Sequence, residues 1–344
     1  MEQFSRIFVD TSKSVFQVHA VVGPREKPFR RKLRRSEVLA FFAATPPTVV
    51  GLEACGAAHC WARALEKLGH EVRLVPPQYV KAYLKRNKND GRDAEAGCEA
   101  MSRPTMRPVP VKSEAQQAVL MLTATRDRLV RERTRLTNAI RGHAAEFGLV
   151  AAKGLDRVGP LLEKIAAEAV LPDLALGLFA ELGEELAALE ARIGRIERAL
   201  LVWRRQDEVS TRLTAIPGVG TVGAVMLTAK TPDPKGFASG RDFAAWMGLT
   251  PKDHSTAGRR RLGAIARAGD EALRSVLVCG AMAVIRQVKA GRRQPTPWLA
   301  DLLAHKEPKE AAVALANKTA RIAWKLMVSG QAYEPEQATA PMAA

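Results

Sequence analysis

Two short apolar runs, Arg6-Ile7-Phe8-Val9-Asp10 and Thr48-Val49-Val50-Gly51-Leu52-Glu53, each end in an acid. Runs of this length, rich in β-branched and aromatic residues, are strands buried on both faces. Between them, Phe16-Gln17-Val18-His19-Ala20-Val21 alternates as a second strand, and residues 30–33 form a third. Ser36 caps a helix with Val38, Leu39, Phe41 and Phe42 on its apolar side. Residues 61–68 are helical up to Gly69, and Val72-Arg73-Leu74-Val75 is a further strand. The order strand, strand, strand, helix, strand, helix, strand, helix predicts an α/β fold with a mixed sheet. Ligand sites of open α/β sheets gather at the carboxyl ends of strands, where Asp10 and Glu53 fall.

The helix after the last strand begins in Lys85-Arg86-Asn87-Lys88-Asn89-Asp90-Gly91-Arg92-Asp93. Residues i and i+3 share a helical face, so Asp90 and Asp93 point the same way. An N-cap acid with a second acid three residues later is also an ordinary helix start. Packed across the same sheet end, however, this helix adds two carboxylates to Asp10 and Glu53. Four convergent acids repel unless a hard divalent cation sits among them. That is the arrangement of a ribonuclease H-like nuclease, in which paired metals assist phosphodiester displacement.

Charge narrows the partner. Lys and Arg number 53 against 36 Asp and Glu, a net charge of +17, which calls for a polyanion. No run of about 18 apolar residues and no secretory leader is found, so a cytoplasmic protein without membrane attachment is expected. Four cysteines (Cys55, Cys60, Cys98, Cys279) are too sparse for a disulfide framework. Cys55, His59 and Cys60 lack the second ligand pair of a zinc site.

Proline-punctuated residues 101–111 read as a linker. Residues 113–147 form a long helix with Val119, Leu122, Leu129, Leu136 and Ile140 on one side and six arginines, among them Arg126 and Arg133, on the others. A second long helix, residues 174–203, carries Leu178, Leu182, Leu186, Leu189, Ile193, Ile196 and Leu200. The two make an antiparallel hairpin or coiled-coil arm. Arginine density favours contact with nucleic-acid backbone, and stripes this long also suit self-association.

Ile216-Pro217-Gly218-Val219-Gly220 resembles the turn of a helix-hairpin-helix module, where Gly218 and Gly220 allow backbone amides close to a phosphate. Residues 248–261 then form a polar loop holding Ser255 and Thr256 among Arg259, Arg260 and Arg261. Such a loop is a phosphate-contacting turn by composition, and a serine in it is also a candidate nucleophile toward DNA. Residues 265–286 read as helical, with Arg267, Arg274 and Arg286, and residues 310–328 as a closing helix.

Taken together, Val9-Asp10-Thr11-Ser12-Lys13, Gly51-Leu52-Glu53-Ala54, Asn87 through Ala94, Ile216 through Gly220, and Gly248-Leu249-Thr250-Pro251 through Ser255 with Leu262-Gly263, Gly269-Asp270 and Leu273-Arg274 resemble the DEDD transposases of the insertion-sequence-110 family, also described as bridge-RNA-guided recombinases. In the closest subgroup the serine loop reads His-Ser-Thr-Gly-Gly-Lys. Here it reads His254-Ser255-Thr256-Ala257-Gly258-Arg259.

The resemblance implies a RuvC-like catalytic domain over residues 1–111, whose Asp10, Glu53, Asp90 and Asp93 bind Mg2+, two ions per site. It implies a dimerising helical arm over 112–205 and a C-terminal transposase domain over 206–332 with Ser255 as the nucleophile. Residues 333–344 are expected to be a disordered tail. It also implies donor and target DNA as substrates, a structured non-coding bridge RNA as guide, and homodimers that assemble into a tetramer. Lys88, Arg92, Arg126, Arg133, Gly218, Gly220, Arg259, Arg260, Arg261, Arg267 and Arg274 are the expected nucleic-acid contacts. A Holliday-junction nuclease that uses water in place of serine, and a non-catalytic nucleic-acid-binding protein, are the competing readings.

Overall fold

The computed structural model describes residues 3–23, 27–84, 90–167, 171–256, 258–259 and 261–335, and for Asp90 the backbone alone. Lys88, Ala257 and Arg260, singled out above, lie outside the described residues, as does the tail from 336. The chain divides into two compact units. One comprises residues 1–117 with 230–236, the other 118–229 with 237–344.

The first unit is built on five strands: β1 (Arg6–Asp10), β2 (Val15–Val21), β3 (Phe29–Arg34), β4 (Val49–Glu53) and β5 (Glu71–Val75). Their order is β3-β2-β1-β4-β5. β2 runs antiparallel to both its neighbours, whereas β1, β4 and β5 are parallel. This is the mixed sheet expected from the strand order. Helices α1 (Val38–Ala43) and α2 (Ala58–Lys67) cover one face, over a core of Phe16, Val18, Leu33, Phe42, Leu52 and Leu65. After the short α3 (Pro77–Lys81), α4 (Asp90–Met101) covers the other face, over Phe8, Val75, Ala94, Ala96 and Met101. Residues 101–111 are not a free linker. Val109 donates its N–H to the Leu74 carbonyl at 2.7 Å, so this segment borders β5.

Two glycines set how closely α4 approaches. A Cβ on Gly97 would lie 2.2 Å from the Phe8 ring, and one on Gly51 would lie 2.5 Å from it. Phe8 fills the seam between sheet and helix because both positions lack a side chain. Gly97→Val is therefore expected to cost about 2–3 kcal/mol through overpacking, even though the helix itself gains from losing a glycine. Adding Phe8→Leu should recover part of that loss, and urea unfolding of the two variants followed by circular dichroism checks it. Additive losses would mean the ring and Gly97 do not compete for the same space.

The second unit is mainly helical. It holds α5 (Glu114–Glu146, most of whose length lies here), α6 (Val158–Ala166), α7 (Asp173–Gln206), α8 (Glu208–Leu213), α9 (Thr221–Lys230), α10 (Gly240–Trp246), α11 (Glu271–Lys289), α12 (Pro297–His305) and α13 (Pro308–Ser329). The stripes read from sequence meet as a core of Leu129, Leu136, Ile140, Leu186, Leu189 and Ile193. Helix starts follow capping chemistry: Asp207, Ser239, Asp270 and Thr296 each accept a backbone N–H from the first turn.

Two expectations change here. Residues 265–286 are not one helix, because α11 starts only at Glu271, behind the Asp270 cap, and Leu262–Ile265 is a strand. The tail expected to be disordered from residue 333 also begins docked, since Tyr333 packs against the C-terminal core. Among the described residues no helix is long and apolar enough to cross a membrane.

Candidate active site

In the parallel pair β1–β4, Val9 stands opposite Leu52, so the next residues, Asp10 and Glu53, end neighbouring strands side by side. Side chains alternate along a strand, which places Asp10 on the face of Phe8 and Glu53 on the face of Gly51. That is the face α4 covers. The Arg6 guanidinium, at the start of β1, lies beside Cys98 in the second half of α4. Burial raises the Cys98 thiol above its usual range, and Arg6 opposes that shift. Asp93, one turn before Gly97, is 9% exposed in this seam.

The structure therefore places Asp10 and Glu53 at one end and one face of the sheet, with Asp93 buried on the helix that covers that face. Asp90 begins the same helix, and its side chain lies outside the described residues. Among the described residues no three acids, histidines or cysteines close into a metal-binding cluster. The donor set is nonetheless all carboxylate oxygen, which fits a hard divalent cation. Arg92 is exposed on the first turn of α4.

The zinc alternative finds no support in local geometry. The Lys112 backbone N–H donates to His59 Nδ1 at 3.2 Å, and Lys112 Nζ lies 3.1 Å from Nε2. Burial and the Lys112 and Arg63 charges push the His59 pKa down to about 4.

Ser255 sits on a hairpin made by β6 (Pro251–Asp253) and β7 (Leu262–Ile265). Its backbone N–H donates to Asp253 Oδ1 at 2.8 Å, and its Oγ accepts the Arg261 N–H at 3.0 Å. The His254 N–H donates to the Arg261 carbonyl at 2.9 Å, and Thr256 bridges Arg259. Ser255 is thus exposed yet held by both sides of the loop neck, with its own hydroxyl proton still available to donate. Arg259 and Arg261 are exposed beside it. Asp253 was not among the residues singled out from sequence. The signal for it was present, because an Asp two residues before a serine commonly caps that serine's N–H.

The base of the hairpin is tightly built. Gly248 (φ 72) and Gly269 (φ 92) both adopt the left-handed region, and a Cβ on Gly269 would lie 1.9 Å from the Trp246 carbonyl oxygen. Arg267 is exposed with φ 54, and its N–H donates to the Gly248 carbonyl. Arg274 lies elsewhere than expected. It is 9% exposed and donates to the Met247 carbonyl at 2.9 Å, so it clamps the loop base from within the core.

Other expected contacts have local partners. Arg126 bonds Glu197 at 2.6 Å across the α5–α7 pair. Arg128 pairs with Glu132, and Arg131 with Asp127. Arg133 faces no carboxylate within ion-pair distance among the described residues. Gly218 (φ 87) packs backbone to backbone on α11, where a Cβ on Gly280 would lie 1.9 Å from the Gly218 carbonyl oxygen. A Cβ on Gly220, by contrast, would meet open space before the first turn of α9.

Residues 8–147 match the DEDD transposase pattern of the IS110 type, and residues 210–295 match "Transposase IS116/IS110/IS902 family". The first span contains all four acids and the second contains Ser255. The y4pF/y4sB chain of Sinorhizobium fredii, which carries a transposase name, is 58% identical over 341 residues, 99% of this chain and 88% of its own. The transposase for insertion sequence element IS1328 of Yersinia enterocolitica is 37% identical over 97% of this chain and 99% of its own. The transposase for insertion sequence element IS1111A of Coxiella burnetii is 36% identical over 97% and 92%.

Proposed function

The chain belongs to the IS116/IS110/IS902 family of transposases, and on that premise we propose that it cuts and rejoins donor and target DNA through a serine-linked intermediate, under the guidance of a structured non-coding RNA. Its first unit serves as a RuvC-like domain in which Asp10, Glu53, Asp90 and Asp93 hold Mg2+. The α5–α7 arm drives dimerisation, and dimers pair into a tetramer. The observation that carries the chemistry is the hairpin, which presents an exposed hydroxyl at a fixed point between cationic side chains.

In the reaction, Ser255 Oγ gives up its proton and attacks a backbone phosphorus. A serine–phosphorus ester forms as one phosphorus–oxygen bond of the DNA breaks, and the departing strand end takes up a proton as a free hydroxyl. Arg259 and Arg261 offset the charge that builds on the phosphoryl oxygens. Asp10, Glu53, Asp90 and Asp93 would hold the magnesium, which would supply further positive charge for phosphodiester displacement. One ester replaces another, so attack by a new strand's hydroxyl on the serine ester rejoins DNA without a nucleotide cofactor. The RNA selects sequence by base pairing while the protein reads backbone and shape.

The test combines the purified protein, the element's flanking non-coding RNA, Mg2+ and an end-labelled donor junction. Products are heated in detergent and run on a denaturing gel. A protease-sensitive, slow-migrating DNA band that requires both RNA and Mg2+ is expected. Cleavage without such a band would replace the serine by water.

A further inference from the structure

At the carboxyl end of β1, around the rim from α4, lies a cleft of about 820 Å3 that no step above uses. The β1–β2 turn brings Lys13 to one side, three residues beyond Asp10. The end of β3 brings Arg34 and Arg35 to the other, and Leu39, Cys60 and Trp61 form its apolar floor. Arg35 is fixed at both ends. Its N–H donates to the Ser14 carbonyl at 2.9 Å, and its guanidinium lies 5.1 Å above the centre of the Trp61 ring. Phe16 meets that ring edge-on at 5.0 Å.

Among the described residues no acid lines the cleft. Glu37, the nearest in sequence, accepts the Arg34 backbone N–H at 2.7 Å. Leu39 is 44% exposed, so apolar surface remains open beside three cations.

We propose that this cleft holds an unpaired nucleotide of a single strand passing the carboxylates. The chemistry is specific to that ligand. The outer face of Arg35, backed by Trp61, is a flat cation on which a base stacks, and Arg34 and Lys13 stand where flanking phosphates run. A duplex cannot use the apolar floor, because its bases are already stacked. The volume suits one nucleotide with its phosphates. The inference rests on the reading of the chain as a DNA-processing transposase, and concerns a site separate from Ser255.

The test uses the full chain with DNA and RNA 12-mers of matched sequence carrying one 5-iodouracil, alongside the corresponding duplex. Irradiation is expected to attach the single-stranded probe to the peptide containing Cys60 and Trp61. Fluorescence anisotropy is expected to show single-strand affinity falling about tenfold in Arg35→Ala and also in Arg35→Lys, with duplex affinity changing less than about twofold. Comparison of the two probes shows whether DNA or RNA occupies the cleft. Single-strand binding by Arg35→Lys at the wild-type level, or equal losses on single strand and duplex, would overturn the proposal, because only a charged patch would remain. Adducts confined to other peptides would overturn it too. The serine-adduct gel reads a different residue, so either result there leaves this comparison intact.

Discussion

Ser255→Ala should abolish the detergent-resistant DNA–protein band, a loss on the order of 10^3-fold or more in adduct formation, while leaving DNA binding within about twofold. The substitution is structurally mild. Ser255 is exposed, its backbone bond to Asp253 survives, and only the Oγ acceptor for the Arg261 N–H is lost, about 1 kcal/mol on the hairpin. Loss of the band therefore reports chemistry and not misfolding. Thr256→Ala is the companion variant, since Thr256 stands next in the loop with its backbone paired to Arg259. It should keep the band. An adduct that persists in Ser255→Ala and vanishes in Thr256→Ala would move the nucleophile one residue along.

Asp93→Asn should lower strand cleavage by about 100-fold or more and shift half-maximal Mg2+ to higher concentration, because a carboxylate–metal contact is worth several kcal/mol of transition-state charge. Asparagine keeps the side chain's size in a position only 9% exposed, so α4 stays seated on Phe8. Binding to DNA at low salt should hold or rise slightly, since one negative charge is removed. Full cleavage at the wild-type Mg2+ requirement would rule Asp93 out as a metal ligand. The pair of variants also separates the two halves of the chemistry. Asp93→Asn should reduce cleavage and adduct together, whereas a water-using nuclease would retain cleavage in Ser255→Ala.

Much of the framework is legible in the sequence itself. Apolar runs of five or six residues and long leucine stripes differ in period, and that difference alone separates the sheet from the helices. Strand order then puts Asp10 and Glu53 at one end, and the parallel register bears this out to the residue. The arginines were harder to read. From sequence, Arg126, Arg267 and Arg274 are alike. In the fold, the first is paired across two helices, the second sits exposed in the left-handed region, and the third is a buried clamp. Gly218 was read for its closeness to phosphate, yet its contact is with the backbone of α11.

The cleft beside β1 escaped the sequence for a related reason. Lys13, Arg35 and Trp61 sit on a turn, a strand end and a helix, and no spacing rule connects them. By itself the sequence determined which segments are strands and helices, which strands end in acids, and that the partner is a polyanion, because periodicity and charge are local and additive. Only the tertiary structure decided which cations face solvent, which are consumed in clamps and ion pairs, and which acids share a face. Those outcomes depend on contacts between residues tens of positions apart, where burial and pairing, rather than residue type, fix what a side chain can do.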